Sequence, residues 1–233
     1  MRKKRRKLKT TSSSWVGRFV IFIVGLLVMA FGFVLLIISD LGATPWDVLH
    51  VGLFYQLGLT IGTWSIIVGF LILGVTAALT KSWPQMGAFL NMLLVGVFID
   101  LYMLLPFLQT PDSLVGKVFM CIMGIGIGGI GMGIYISARI GAGPRDSLML
   151  AIRDKTGWKV QNVRSALEVF VLVVGWLLGG PIFIGTFLFA FLIGPVLGWT
   201  LPLCEKITDS MFGPISPKIK PINTQSMKRG ASL

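Results

Sequence analysis

The sequence predicts an all-α polytopic membrane protein, with six transmembrane helices arranged as two inverted repeats of three helices each. The chain of 233 residues is 55% hydrophobic and only 13% charged, whereas soluble domains carry about 25% charged residues. It contains six apolar runs close to the length of about 20 residues that a helix needs to cross a bilayer. A six-residue motif also occurs twice, after the first run and after the fourth.

The six apolar runs place the predicted spans in order along the chain. They cover residues 19–38, 61–79, 86–105, 118–136, 160–178 and 182–199. The first run is longer than the apolar region of a signal peptide, which has about 7–15 residues, so we interpret it as a retained span. We divide the chain into a basic N-terminal segment (1–18), a first repeat (19–105), an external loop (106–117), a second repeat (118–199) and a polar basic tail (200–233).

The duplicated motif relates the two halves of the chain. Residues 42–47 read GATPWD and residues 141–146 read GAGPRD, an offset of 99 positions (141 − 42 = 99). The same offset aligns glycines of the first and fourth spans, such as Gly25 and Gly124. Because each repeat contains an odd number of spans, the two copies must cross the membrane in opposite orientations. Inverted repeats of three plus three helices occur in secondary transporters.

Each motif copy predicts a short Gly/Pro-broken helix after the first span of its repeat. Proline has a fixed φ and no N–H group, which suits the first position of a helix. Thr44 then caps the first helix and Gly143 the second, while a glycine two residues earlier lets the chain turn sharply. The predicted helix-start residues are Gly42, Thr44, Pro45, Gly141, Gly143 and Pro144.

Asp47 and Asp146 occupy the third position of the two short helices, and two interpretations of them stay open. Each carboxylate either only caps free backbone N–H groups at the positive end of the helix dipole, or belongs to a substrate or coupling-ion site. Such a site would form if the two helix starts dipped into the membrane from opposite faces and met near its centre. Since the aspartates partly cancel the positive helix ends, the site would favour a cation, a proton or a hydroxyl- or amine-bearing solute over a pure anion.

Polar residues inside or beside the spans are further candidates. Glu168 lies eight residues into the fifth span, about 12 Å deep, where a carboxylate must face protein or water. Arg164 shares its helical face, so the two residues form either a structural ion pair or part of a protonatable coupling site. His50 is either an interfacial polar residue or part of the site. Asn91 lies deep in the third span, where its amide can hydrogen-bond across helices.

The distribution of the net charge of +12 predicts the topology. Eight of the 21 Lys and Arg residues lie within positions 1–18, and most of the others follow the second, fourth and sixth spans. The positive-inside rule therefore predicts a multi-pass membrane protein with both termini cytoplasmic. It also accounts for Arg145, which stands where the first motif copy has Trp46. We expect the basic termini to bind anionic lipid headgroups, and we expect no nucleic-acid partner.

The sequence lacks the patterns that would indicate an enzyme or a metal site. It contains no nucleophile–base set, H-E-x-x-H or Walker sequence. Residues 124–129 fit G-x-G-x-x-G, but they lie inside an apolar span, where small residues favour close helix packing. Cys121 and Cys204 match no metal-ligand spacing. We therefore predict no enzymatic activity, no metal and no cofactor.

The two motif copies, at residues 42–47 and 141–146, resemble those of the bacterial YczE/YyaS/YitT-type integral membrane proteins. The resemblance covers roughly residues 19–199 and leaves out the basic N-terminus and the polar tail. It implies a polytopic protein of the bacterial inner (plasma) membrane. It supplies no catalytic residue, substrate or cofactor.

The inverted repeat leads us to expect a small secondary transporter or permease-like protein for an unidentified small solute, with proton or cation coupling left open. The alternative is a non-transporting membrane scaffold or accessory protein of an envelope or biosynthetic complex, in which Asp47 and Asp146 are only helix caps. The lipid bilayer is the predicted partner in both cases. The sequence is compatible with a monomer and with a homo-oligomer.

Overall fold

Eight α-helices and no β-strand are found in the described part of the chain, residues 12–141 and 143–213 of a computed structural model. They are α1 (Ser12–Ile38), α2 (Pro45–Leu57), α3 (Ile61–Thr80), α4 (Met86–Met103), α5 (Leu114–Ser137), α6 (Pro144–Thr156), α7 (Val160–Leu177) and α8 (Ile184–Phe212). All except α2 and α6 are long and apolar enough to cross a membrane. The predicted all-α fold with six spans and two short helices is therefore confirmed. The basic cluster at positions 2–9, Ala142 of the second motif and the tail from position 214 lie outside the described residues.

The last span is longer than predicted. α8 runs to Phe212, whereas the apolar run ends at Trp199 and the residues beyond it were predicted to be tail. Residues 200–212 stay helical because the polar side chains on one face have partners. Thr208 is within hydrogen-bond distance (2.9 Å, Oγ1 to Oγ) of Ser137 at the end of α5, and Asp209 accepts a hydrogen bond from Arg18 of α1.

The centre of the molecule is a close contact between α1 and α5 that is made through glycines. Gly32 lies against the backbone of Gly128, and Gly131 lies against the backbone of Met29, with no space for a Cβ atom at either glycine. The offset of 99 converts the first contact into the second (32 + 99 = 131, 29 + 99 = 128). Small residues let two apolar helices approach closely, which strengthens van der Waals packing where water supplies no driving force.

The two short helices pack against the opposite halves of the chain. α2 packs against α7, and α6 packs against α3. By contrast, α4 packs against α1 and α8 packs against α5, each within its own half. The crossing of the two short helices into the opposite halves brings the beginnings of α2 and α6 towards each other.

The second and third spans of the two repeats are arranged differently. α3 and α4 form a tight pair, in which a Cβ atom at Gly96 would lie 2.6 Å from the carbonyl oxygen of Gly62. Across the described chain, α7 and α8 do not form an equivalent packed pair. A cleft of about 150 Å³ lies between them.

Candidate functional site

The starts of both short helices line a single central cavity of about 130 Å³. Pro45 of α2 and Pro144 of α6 both contribute to its wall, although they are 99 residues apart in the chain. The polar and ionisable side chains of the lining are Thr44, His50, Ser65, Asn91, Tyr135, Arg145, Asp146, Arg164 and Glu168. Methionines and aromatic residues complete the wall. The cavity is therefore mostly apolar with a few polar groups, as small-molecule sites usually are.

The start of α2 has the capping geometry that its sequence predicts. Thr44 is the N-cap, and its hydroxyl oxygen accepts a hydrogen bond from the Asp47 N–H (3.2 Å). The same hydroxyl donates to Asp47 Oδ2 (2.6 Å). Gly42 has a φ of 108°, in the region that favours glycine, and so provides the sharp turn before the helix. One oxygen of Asp47 is thus engaged in the cap.

The other carboxylate oxygen of Asp47 faces His50. Asp47 Oδ1 and His50 Nδ1 are 3.5 Å apart, and both side chains are only 1% exposed. Neither atom has a hydrogen-bond partner among the described residues, which is unusual for buried polar atoms. The first turns of α2 are buried, so His50 is enclosed by protein and lies in the cavity wall. Burial lowers the pKa of His50, and the Asp47 carboxylate only partly offsets this effect.

The start of α6 contributes an arginine that the sequence did not single out as a site residue. The guanidinium of Arg145 lies over the ring of Trp46, 4.7 Å from its centroid, and it lines the cavity. The positive-inside rule placed its charge among the cytoplasmic loop charges, whereas its side chain points into the protein. The missed signal was the equivalence of Trp46 and Arg145 in the two motif copies, because equivalent residues near the axis of a two-fold arrangement can touch each other.

Asp146 follows Arg145 into the cavity wall. Gly143 is the N-cap residue of its helix, α6. Because glycine provides no side-chain cap, the start of α6 differs from that of α2. Burial raises the pKa of Asp146, against the opposing effect of Arg164 and Arg145.

Arg164 and Glu168 form an ion pair on α7, with 2.9 Å between Nε and Oε1. The side chains are 49% and 36% exposed, respectively, because they also line the cleft between α7 and α8. Pro45 and Phe189 belong to both linings as well. The pair therefore stands where the cavity and the cleft adjoin.

Three polar side chains of the first five helices complete the cavity. Ser65 of α3, Asn91 of α4 and Tyr135 of α5 lie in its wall. The amide oxygen of Asn91 lies beside Gly143 of the second motif copy, where a Cβ atom added to the glycine would be 3.3 Å from that oxygen. Ser65, Asn91 and Tyr135 are polar residues inside apolar spans, and this feature of the sequence was the available signal for a role in the site. Among the described residues, no three His, Cys, Asp or Glu side chains come together as a metal site.

A family comparison places the chain among membrane proteins of this kind. Residues 16–202 match a family described as "Family of unknown function (DUF6198)". The chain belongs to this family. The matched residues include both motif copies and every element that lines the cavity.

Three individual relatives of the chain support the assignment to this family. The "Uncharacterized membrane protein YczE" of Bacillus subtilis (strain 168) is 48% identical over 189 residues, which are 80% of this chain and 86% of the relative. An "Uncharacterized protein" of Haemophilus influenzae is 33% identical over 214 residues (89% and 97%). "Uncharacterized protein YyaS" of B. subtilis is 31% identical over 190 residues (81% and 94%). No solved structure matches the chain. The resemblance to YczE and YyaS is thus confirmed, and the chain is a multi-pass membrane protein in contact with the lipid bilayer.

Proposed function

We propose that this protein is a small secondary transporter whose solute binds in the central cavity between the two motif copies. The observation that carries the proposal is that two helix starts 99 residues apart in the chain line one cavity. Transporters with inverted repeats bind their solutes between the repeats, near broken helices. The proposal includes the opposite orientation of the two repeats, two cytoplasmic termini and location in the bacterial inner membrane. It includes no enzymatic step.

The different packing of the two repeats supports this proposal. A transporter must expose its site to one side and then to the other, and inverted repeats do so by exchanging their conformations. Here α3 and α4 are closed through Gly62 and Gly96, while the cleft between α7 and α8 adjoins the cavity at Arg164 and Glu168. The cleft would be the access route in this state, and a seam between α3 and α4 would open in the other.

Asp47 and His50 are the proposed coupling site. Each has one buried polar atom without a hydrogen-bond partner among the described residues, and these two atoms face each other. A proton bound there would satisfy both atoms. A different cation would be bound by Asp47 Oδ1 and nearby backbone oxygens. Release of the bound proton or cation would leave both atoms without a partner again. This difference between the two states couples ion binding to a conformational change.

Solute uptake by purified protein in lipid vesicles, with and without an imposed proton gradient, tests the proposal. We expect at least one small solute to accumulate, and we expect Asp47→Asn to abolish gradient-driven uptake. The asparagine amide oxygen can still accept the Thr44 hydroxyl hydrogen bond, so the unfolding temperature should stay near that of the wild type. Asp112→Asn, in the exposed loop before α5, is the control and should leave uptake unchanged. If no solute moves in a broad screen, transport is wrong and the scaffold alternative stands.

A further inference from the structure

We infer that the central cavity binds a small zwitterionic amino acid, with the carboxylate at Arg145 and the ammonium group at Asp146. This inference rests on the proposed transport function and specifies its substrate class. Both side chains line the same cavity and are adjacent on the first turn of α6.

Arg145 is prepared to bind a carboxylate. The Trp46 ring covers one face of its guanidinium at 4.7 Å and leaves the N–H groups at the edge available. Among the described residues, this guanidinium forms no hydrogen bond and no ion pair. A planar guanidinium with free N–H groups binds a carboxylate through two parallel hydrogen bonds. Such a ligand would supply the acceptors that the protein does not.

The helix starts add to the attraction for an anionic group. The first turns of α2 and α6 both meet the cavity, and the positive ends of their dipoles reinforce Arg145.

The acidic side chains make a simple anion a poor ligand. Asp146 and Glu168 line the same cavity as the two arginines and His50, so two carboxylates and two guanidinium groups face a bound solute. An anion would meet both carboxylates, and a cation would meet both guanidinium groups. A solute with one group of each sign and no net charge is compatible with the whole lining. Because Arg164 already pairs with Glu168, Arg145 and Asp146 are the residues left to bind it.

The size of the cavity restricts the class further. Its volume is about 130 Å³, and a cavity of about 150 Å³ accommodates benzene, a molecule of six heavy atoms. Glycine and alanine have five and six heavy atoms. An amino acid with an aromatic side chain would have to extend beyond the cavity into the adjoining cleft.

Binding to the purified full-length protein, measured by calorimetry, tests the inference with four probes. L-alanine carries both charges, propionate lacks the ammonium group, propylamine lacks the carboxylate, and L-phenylalanine is larger than the cavity. We expect L-alanine to bind at least about tenfold more tightly than each of the other three probes. Propionate and propylamine each lack one charge-assisted interaction, and L-phenylalanine is larger than the cavity. Equal binding of propionate or propylamine would overturn the inference.

Three variants assign the roles of the residues. Arg145→Lys keeps the charge but loses the planar pair of donors, and it should weaken L-alanine binding at least about tenfold. Asp146→Asn should weaken L-alanine and strengthen propionate, because it removes the ammonium partner and a repulsive carboxylate together. If the role of Asp146 is purely structural, the substitution should change the affinity for both ligands in the same direction. Arg153→Gln, an exposed site on the same helix, is the control and should bind L-alanine as the wild type does.

The solute screen in vesicles separates this inference from the proposed function. Uptake of some other class of solute, with no binding of L-alanine or glycine, would overturn the substrate class and leave transport standing. Binding of L-alanine with the expected variant pattern supports the substrate class even if no uptake is measured. Absence of both L-alanine and glycine binding in folded protein overturns the inference.

Discussion

At the scale of single residues, Arg18 holds three elements together at one end of the molecule. The residue is only 3% exposed, and it donates hydrogen bonds to Asp209 Oδ1 (2.8 Å) and the Gly213 carbonyl oxygen (2.5 Å) at the end of α8. It also donates to the Ser137 carbonyl oxygen (3.4 Å) at the end of α5. Arg139, just after α5, approaches Asp209 Oδ2 (3.4 Å) and Glu205 Oε1 (3.3 Å). A buried guanidinium needs all its partners, because an unpaired buried charge is strongly destabilising.

We predict that Arg18→Gln lowers the free energy of unfolding by about 2 kcal/mol, the usual contribution of a hydrogen-bonded charged group. The substitution leaves the partly buried Asp209 carboxylate without its nearest cation. Thermal unfolding of detergent-solubilised protein measures the effect. The matched control is Arg153→Gln, since Arg153 is exposed and pairs with its neighbour Asp154. Equal unfolding temperatures for the two variants would contradict the prediction.

Residue roles were predictable from the sequence where the partners are close in the chain. Thr44 caps α2, and Arg164 pairs with Glu168 four residues later, because both contacts lie within one or two helical turns. Arg145 was misjudged because its partner, Trp46, is 99 residues away. No local rule reports whether a charged side chain next to a span points to water or inward.

At the scale of helices, the open cleft between α7 and α8 distinguishes the second repeat from the first. Gly194 of α8 lines this cleft, and a Cβ atom there would meet no neighbour within 4 Å. The first repeat is closed at the corresponding place, where Gly96 of α4 touches Gly62 of α3. If the cleft is the access route, a large side chain at Gly194 should block it without disturbing the fold.

We therefore predict that Gly194→Phe abolishes most of the solute uptake into vesicles. Gly198→Phe is the matched control, because Gly198 lies one helical turn further along α8, also in open space, and does not line the cleft. Both variants carry the same cost in helix propensity, so their unfolding temperatures should be similar. Equal uptake by the two variants would exclude the cleft as the route.

The starts of the two short helices were predictable. Pro45 and Pro144 mark the beginnings of α2 and α6 because proline suits the first turn of a helix and is disfavoured in its interior. The end of α8 was placed 13 residues too early (212 − 199 = 13), because hydropathy detects the membrane-crossing part of a helix and not its polar continuation. Thr208 and Asp209 keep that continuation helical through contacts with other helices.

At the scale of the whole molecule, the charge distribution predicts which connections lie on each side of the membrane. The turn between α3 and α4 contains Lys81, whereas the loop between α4 and α5 has no basic residue before Lys117. Ser82 in the first connection and Asp112 in the second are exposed, so both positions suit chemical labelling.

We predict that Asp112→Cys reacts with a membrane-impermeant thiol reagent in intact cells, whereas Ser82→Cys reacts only after the membrane is permeabilised. The background should carry Cys204→Ala, because Cys204 is partly exposed, while Cys121 is buried. Both variants should expose their cysteine fully in denatured protein, which controls for expression. Labelling of both sites from the same side would contradict the predicted topology.

The sequence by itself determined the membrane class, the six spans, the two short helices and the duplicated motif that begins each short helix. These properties follow from hydropathy, from proline and glycine chemistry and from an internal offset, all of which are local or repeated along the chain. Only the tertiary structure decided that both helix starts line one cavity, that Arg145 lies over Trp46 and that α7 and α8 stand apart while α3 and α4 are closed. These features depend on how helices distant in sequence pack, since α2 packs against α7 and α6 packs against α3.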